Sequence, residues 1–433
     1  MIVVVVLVAL VAIAVVAGAH YYIWRRLVRD TTAAGGTARR AGTAVIVLLP
    51  VLTFAGVGMS RGEVPFSLKQ IFGWPAYMWL ATLLYLLLAL LVGEAVRPLL
   101  SRVLARRDAA AGTTTVPVEE PVPVGASPGS GASAESDTDT NSNTNTDADQ
   151  ASPAVPAVDA SRRLFVSRVV GGAAAAAALA TVGYGTANVL RGPRVKRITV
   201  PLAKLPRAAH GYRIAVVSDI HLGPLLGRAH AQRVVDTINS TNPDLVAIVG
   251  DLVDGSVADL GPAAEPLSRL TSRHGSFFVT GNHEYFGDAG EWVDHVRELG
   301  VHPLENARVE IAGFDLVGVN DIAGEEEGEG PDFKKALGGR DPARASVLLA
   351  HQPVVIHDAV KHGIDLQLSG HTHGGQMWPA TYIAQAANPT LAGLEQYGDT
   401  ALYVTRGAGA WGPPVRVGAP SDVTVVQLAS RQA

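Results

Sequence analysis

Leu366-Gln367-Leu368-Ser369-Gly370-His371-Thr372-His373-Gly374-Gly375-Gln376 is a short apolar run that stops at a glycine, presents two histidines one residue apart, and closes on two more glycines. In an extended segment alternate side chains point the same way, so His371 and His373 are expected to reach one site from one edge. The glycines let the backbone turn sharply and approach a bound group closely. Two imidazoles held at a strand end point to a metal, and the remaining ligands must then come from elsewhere in the chain.

Four further runs follow the same grammar. Tyr212 to Ser218 is strand-like and ends in Asp219-Ile220-His221; Asp244 to Val249 ends in Gly250-Asp251; Ser276 to Thr280 ends in Gly281-Asn282-His283-Glu284; Val347 to Ala350 ends in His351. Helix-like stretches separate them, at Arg228 to Asn239, Glu291 to Leu299 and Val354 to His362, which predicts an α/β domain from about Val195 to Ala433. In such folds the loops leaving the carboxyl ends of neighbouring strands converge on one crevice. Twelve of the 13 histidines lie beyond residue 200, and five of them fall in these blocks, a concentration that favours a site over scattered surface residues.

The candidate ligands are therefore Asp219, His221, Asp251, Asn282, His351, His371 and His373. Carboxylate, imidazole and amide together suit Mn, Fe or Zn rather than calcium, which takes oxygen ligands only. Seven ligands exceed what one tetrahedral ion needs but match two divalent ions sharing a bridging carboxylate. Two ions about 3.5–4 Å apart can generate a hydroxide at neutral pH and clamp the attacking and leaving oxygens of a phosphoryl group. Hydrolysis of a phosphate ester uses all of this.

Hydrophobic residues make up 48% of the 433-residue chain, and the excess sits in the first hundred residues and around residue 175. Ile2 to Ile23 is long enough to span a bilayer and is followed, not preceded, by arginines (Arg25, Arg26, Arg29, Arg39, Arg40), which argues for a retained span over a cleaved signal peptide. Ala44 to Met59 and Trp74 to Val96 are two more candidates, the latter with Trp74, Tyr77 and Trp79 placed like an interfacial belt and Arg97, Arg102, Arg106 and Arg107 behind it. A membrane region with three transmembrane helices over 1–107 is thus expected. Residues 108–160 hold no lysine or arginine and are rich in small polar residues, the composition of a disordered linker. In 161–194, Ser161-Arg162-Arg163-Leu164-Phe165-Val166 precedes a fourth apolar stretch, Val169 to Leu190; it reads either as a fourth span or as a twin-arginine-like signal anchor. Counting spans with positive loops inside puts the carboxyl-terminal domain outside the cytoplasm. With no cysteine there is neither a disulfide framework nor a thiolate site, and a net charge of -4 gives no support to nucleic-acid binding.

Taken together, Ser218-Asp219-Ile220-His221-Leu222-Gly223, Gly250-Asp251, Gly281-Asn282-His283-Glu284, His351 and Gly370 to Gln376 resemble the five signature blocks of the calcineurin-like metallophosphoesterase superfamily, in its bacterial membrane-anchored or exported branch. The resemblance covers roughly Lys196 to Leu428. It implies a four-layer fold, two packed β-sheets flanked by helices, here preceded by an all-α transmembrane region. It also implies that Asp219, His221, Asp251 and His373 hold one ion and Asp251, Asn282, His351 and His371 the other, with Asp251 bridging. His283 would contact the phosphate and protonate the leaving oxygen, a role imidazole suits near neutral pH. Glu284 stands where the family usually carries aspartate and is expected to orient His283.

The function expected is a membrane-anchored phosphoesterase acting on phosphomonoesters or phosphodiesters, with lipid-linked or cell-wall phosphate as the natural substrate of a site held at the outer membrane face. A cytoplasm-facing enzyme acting on nucleotides or sugar-nucleotide lipids, and a non-catalytic metal- or phosphate-binding scaffold, are the alternatives. Gly407 to Pro414, with Trp411, is expected to line the crevice. The acidic run Glu325 to Glu329 and the helical His357 and His362 are expected at the surface.

Overall fold

The protein is described by a computed structural model for residues 2–62, 64–111, 157–311 and 313–432. Its contacts divide it into two compact units, Met1–Arg40 with Leu90–Ala174 and Ala41–Ala89 with Ala175–Ala433.

Four long helices come first: α1 (Ile2–Ile23), α2 (Thr37–Arg61), α3 (Phe66–Ala111) and α4 (Ala157–Leu190). Each is long and apolar enough to cross a membrane, and each contains one of the expected spans. Large apolar side chains stand exposed along all four, among them Leu10, Leu48, Ile71 and Leu179. Surfaces of that extent are tolerated only where lipid or a partner covers them. α3 and α4 run well past the apolar stretches, because the hydrophobic period marks what fits in a bilayer and not where helical hydrogen bonding stops. The centre of the expected linker, 112–156, lies outside the described residues; its edges, 108–111 and 157–160, are the last and first residues of α3 and α4. In the first unit Arg26 gathers charge, with its guanidinium 2.6 Å from Glu94 and 3.2 Å from Asp30, while Tyr22 donates to Glu94 at 2.8 Å.

The second unit holds the α/β domain. Its first sheet has the order β1 (Arg194–Leu202), β12 (Asp422–Ser430), β2 (Arg213–Val217), β3 (Leu245–Val249), β4 (Ser276–Val279) and β5 (His302–Pro303); its second has β10 (Gly393–Tyr397), β11 (Thr400–Val404), β9 (Leu366–Ser369), β8 (Ala345–Leu349), β7 (Phe314–Gly318) and β6 (Ala307–Ile311). Both are mixed. In the first, β2 to β5 run parallel and β12 antiparallel to β2; in the second, β11, β9, β8 and β7 run parallel between two antiparallel edges.

Strand alternation builds the layers. Ile214 and Val216 of β2 join Val347 and Leu349 of β8 in the core between the sheets, whereas Ala215 and Val217 face the other way. That outer face packs on α5 (Arg228–Ser240), α6 (Val257–Ala264) and α7 (Ala289–Glu298) through Val234, Leu260 and Trp292. The second sheet's outer face, with Val317 and Leu348, is covered by α8 (Phe333–Leu337) and α9 (Ile356–Lys361). The result is four layers, two sheets flanked by helices, as the sequence blocks imply. One more helix, α10 (Ala380–Ala387), buries no residue.

Candidate metal centre

Five loops leave the carboxyl ends of β2, β3, β4, β8 and β9, and each delivers its expected donors into one crevice where the two sheets' parallel strands end side by side. Asp219, His221, Asp251, His351 and His373 are all at most 8% exposed; Asn282 and His371 are half-buried.

The backbone, not an extended edge, aims these side chains. Asp219, His221, Asp251, His371 and His373 have φ of 53°, 48°, 52°, 71° and 53°, a left-handed conformation that non-glycine residues adopt rarely and that clusters at functional sites. His371 and His373 do reach one crevice, but left-handed backbone and not the alternation of an extended edge takes them there. His373 groups with Asp219 and His221, and His371 with Asp251 and His351, each set close enough to hold a cation. Two glycines make the crowding feasible: a Cβ at Gly281 would collide with Asp251 Oδ1, and one at Gly370 with Ser218 Oγ.

Distances show how the sets interlock. His373 Nε2 lies 3.3 Å from Asp219 Oδ1 and 2.9 Å from His221 Nε2. Asp251 accepts the His283 N–H through Oδ1 at 2.9 Å, which leaves Oδ2 at 3.1 Å from His351 Nε2 and 3.8 Å from His221 Nε2, between the two sets. Asn282 Oδ1 stands 3.0 Å from His371 Nδ1.

His351 tests whether these residues fit metal ions. Its Nδ1 is 2.8 Å from the Val249 carbonyl, which can only accept, so Nδ1 carries the proton. Nε2 is buried and stands 3.1 Å from Asp251 Oδ2; burial opposes its charge, but Asp251 raises His351 well above its usual value, so without a cation the ring holds a proton on this side too. A divalent cation between the two would take that proton's place, since imidazole and carboxylate ligands bind metal in their deprotonated forms. Burial raises a carboxyl group, yet the His351, His221 and His283 charges hold Asp251 far below the ordinary carboxylate range, and against burial Asp254 and Asp251 push His221 up to about 9, so His221 and His351 carry the positive charge that a cation would replace. His371 is pushed down to about 4 by burial and by His351, and His373 well below its usual value by burial, His221 and Arg416. Both therefore stay unprotonated, as ligands must.

Glu284 does not orient His283. Its carboxylate accepts the backbone N–H groups of Gly281 at 2.6 Å, Leu252 at 2.8 Å, Asp251 at 3.0 Å and Val253 at 3.3 Å, so the extra methylene reaches across and ties the loop after β4 to the loop after β3. Burial and the Asp251 charge push it up to about 8, against the pull of those amides. The residue that holds His283 is Asp254, whose Oδ1 accepts from His283 Nδ1 at 2.7 Å and from His221 Nδ1 at 2.8 Å. The His221 and His283 charges draw Asp254 down to about 2 despite burial. The run Asp251-Leu252-Val253-Asp254 contained this signal, a second carboxylate three residues past a ligand. Arg416 gave no local signal. It is fully buried, bonds to four backbone carbonyls, and sets Nη2 3.0 Å from His373 Nδ1.

The calcineurin-like phosphoesterase family model matches residues 212–375, a span that contains all nine expected site residues. A metallophosphoesterase of Helicobacter pylori strain J99 is 38% identical over 256 residues, covering 58% of this chain and 68% of the relative, and YkuE, a metallophosphoesterase of Bacillus subtilis, is 30% identical over 291 residues, covering 62% and 98%. The chain belongs to the metallophosphoesterase family. A transmembrane protein with a metallophosphoesterase domain from Danio rerio is 39% identical over 259 residues. This metallophosphoesterase covers only 59% of the length of that relative and of its Bos taurus counterpart. Trp411 and Arg416 lie beyond the matched region.

Proposed function

We propose that the chain is a membrane-anchored, metal-dependent phosphoesterase that hydrolyses phosphomonoesters or phosphodiesters carried by lipids or the cell envelope. The observation that carries the hydrolytic reading is the pair of donor sets meeting at Asp251. Asp219, His221, Asp251 and His373 would hold one divalent ion, and Asp251, Asn282, His351 and His371 the other. Two such ions supply Lewis acidity toward phosphoryl oxygens and lower the pKa of water. His283 is 7% exposed, and its Nδ1 is committed to Asp254. Its Nε2 edge is therefore the one that delivers a proton to the leaving oxygen. Glu284 and Arg416 fix the ligand loops, and the buried floor excludes stray water, which strengthens every charge interaction in the crevice.

Charge and contact support one side of the membrane for the domain. Arginines flank α1, the end of α3 and the start of α4, which supports a cytoplasmic side there; Arg191, Arg194, Lys196 and Arg197 make the far flank of α4 basic too, so the span count carries the orientation as much as charge does. Within the second unit the opposite ends meet the domain: Lys69 near the start of α3 pairs with Asp259 at 3.5 Å, and Gly185 near the end of α4 accepts the Arg416 N–H at 3.2 Å. This supports a domain outside the cytoplasm. Hydrolysis of a chromogenic bis-aryl phosphate with added Mn tests the chemistry. Asp251→Ala is expected to lose metal and activity, whereas His283→Ala keeps metal and slows by roughly 100-fold or more. A fully active Asp251→Ala ends the reading.

A further inference from the structure

Beyond residue 195, eight large apolar side chains stand exposed among the described residues, and five of them belong to the segments around the crevice, α10 included: Phe286 (73%), Trp378 (47%), Tyr382 (66%), Ile383 (75%) and Trp411 (54%). Phe286 and Trp411 flank His283, with ring centres 4.6 and 5.7 Å from it. Tyr382 and Ile383 lie on α10, Ala-Thr-Tyr-Ile-Ala-Gln-Ala-Ala, a helix without a charge and without a buried residue. A soluble surface seldom gathers so much exposed apolar area around one opening.

These pieces form one rigid edge. Gln376 exchanges hydrogen bonds with the Trp411 backbone, its Nε2 donating to the carbonyl at 2.9 Å and its Oε1 accepting the N–H at 3.0 Å. The Trp378 N–H donates to Val417 at 2.9 Å. α10 rests against Gly375, where a Cβ would strike Thr381, two residues past the candidate ligand His373. The same edge is continuous with the ends of two spans. A Cβ on Gly412 would touch the Tyr77 ring of α3 at 3.5 Å, Gly185 of α4 lies under Val415 and Arg416, and Val189 of α4 shares a buried cluster with Leu226 and Ala410. Trp74, Tyr77 and Trp79 are the residues expected at the interfacial level of α3, which would set Trp411 beside that level.

The geometry points to α10, with Phe286, Trp378 and Trp411, as a bilayer-docking surface. An uncharged helix carrying Tyr and Ile outward, held at the depth of an aromatic belt, lies in the headgroup layer with its apolar side toward the acyl chains. The occupant is the lipid leaflet in which α3 begins and α4 ends. The crevice then opens onto that leaflet, and its phosphoester is the headgroup ester of a lipid that stays in the bilayer while it is cut. The docking stands on contact geometry alone; the substrate class rests on the phosphoesterase reading.

The chain has no cysteine, so single labels can be placed cleanly. The full chain, in nanodiscs of phosphatidylcholine with phosphatidylglycerol, would carry a nitroxide at Ile383→Cys, at Tyr382→Cys, or at the control Val360→Cys on α9, which is 40% exposed. The two α10 labels are expected to collide with lipid-soluble oxygen and to be shielded from a water-soluble nickel chelate, with the Val360 label the reverse. Labels on α10 that behave like the one at Val360 overturn the docking. In the second arm, Ile383→Asp is expected to lower the ratio of turnover on a bilayer-borne phosphodiester to turnover on the soluble bis-aryl ester by about tenfold, the effect of about 1.4 kcal/mol of lost interface binding; an unchanged ratio overturns the lipid substrate class. Shielded labels on a protein that cuts neither ester support the docking and sink the hydrolase reading instead.

Discussion

Replacing Asp254 by alanine should impair both metal binding and catalysis, although Asp254 is not among the residues expected to hold an ion. Its Oδ1 holds the Nδ1 atoms of His221 and His283 at 2.8 and 2.7 Å, the short range of charge-assisted bonds. Hydrogen bonds to a charged group contribute about 1.5–3 kcal/mol each. The carboxylate side chain is 25% exposed, so water can replace part of what is lost, and about 2 kcal/mol in total is a fair figure. That corresponds to roughly 30-fold, inside the roughly 10- to 100-fold range for groups that orient metal ligands. The loss should divide by partner. Freeing His221 should weaken Mn affinity, read by titration calorimetry on the detergent-solubilised chain. Freeing His283 should lower kcat at saturating Mn on the bis-aryl ester. Asp254→Asn, which keeps an acceptor but not the charge, should fall between wild type and Asp254→Ala. Mn affinity and kcat both within about twofold of wild type in Asp254→Ala would refute the orienting role, because an unheld imidazole cannot keep its aim at no cost.

Other outcomes follow from the same geometry. Glu284→Ala should cost at least about 3 kcal/mol of stability by leaving four buried N–H groups without their acceptor, seen as a lower thermal midpoint and little soluble protein; Glu284→Gln should recover part of it. Gly281→Ala should abolish activity while the sheets persist by circular dichroism, since its Cβ would displace Asp251. His230, 1% exposed with neither ring nitrogen bonded, is held down to about 3 chiefly by burial. Its folded pKa lies below the unfolded value of about 6.5, so its stabilisation is complete above that value and is lost as pH falls toward 3, by at most about 1.4 kcal/mol per pH unit. The thermal midpoint should therefore fall with acid between those limits, and His230→Leu should flatten that dependence. EDTA should lower the midpoint of the wild type but not that of Asp251→Ala, since an ion that binds only the folded chain stabilises it by mass action.

The layers and the gathering of the donors were legible because they rest on local signals: apolar strands of ordinary length, each ending in a metal-binding type of residue. What the blocks hid was conformation at the strand ends. Nothing in Gly-His-Thr-His announces two left-handed residues, and the extended reading had strand alternation aim both imidazoles. Asp254 takes the part expected of Glu284 for a similar reason, because side-chain reach across loops is a tertiary property. Arg416 was invisible, being 43 residues past its partner His373 and identical in sequence terms to any surface arginine. Exposed apolar residues on α10 were equally silent, since Tyr382 and Ile383 read in sequence like core residues.

Five donors in left-handed backbone, with their loops laced together through Glu284, describe a cradle whose shape the polypeptide imposes by itself. Loading it should then resemble filling a moulded socket more than nucleating a fold: uptake of Mn proceeds in one bimolecular phase whose rate climbs linearly with ion concentration. Stripping the ions would silence the enzyme without unmaking the receptacle, so a dormant pool could be revived by the ion supply alone.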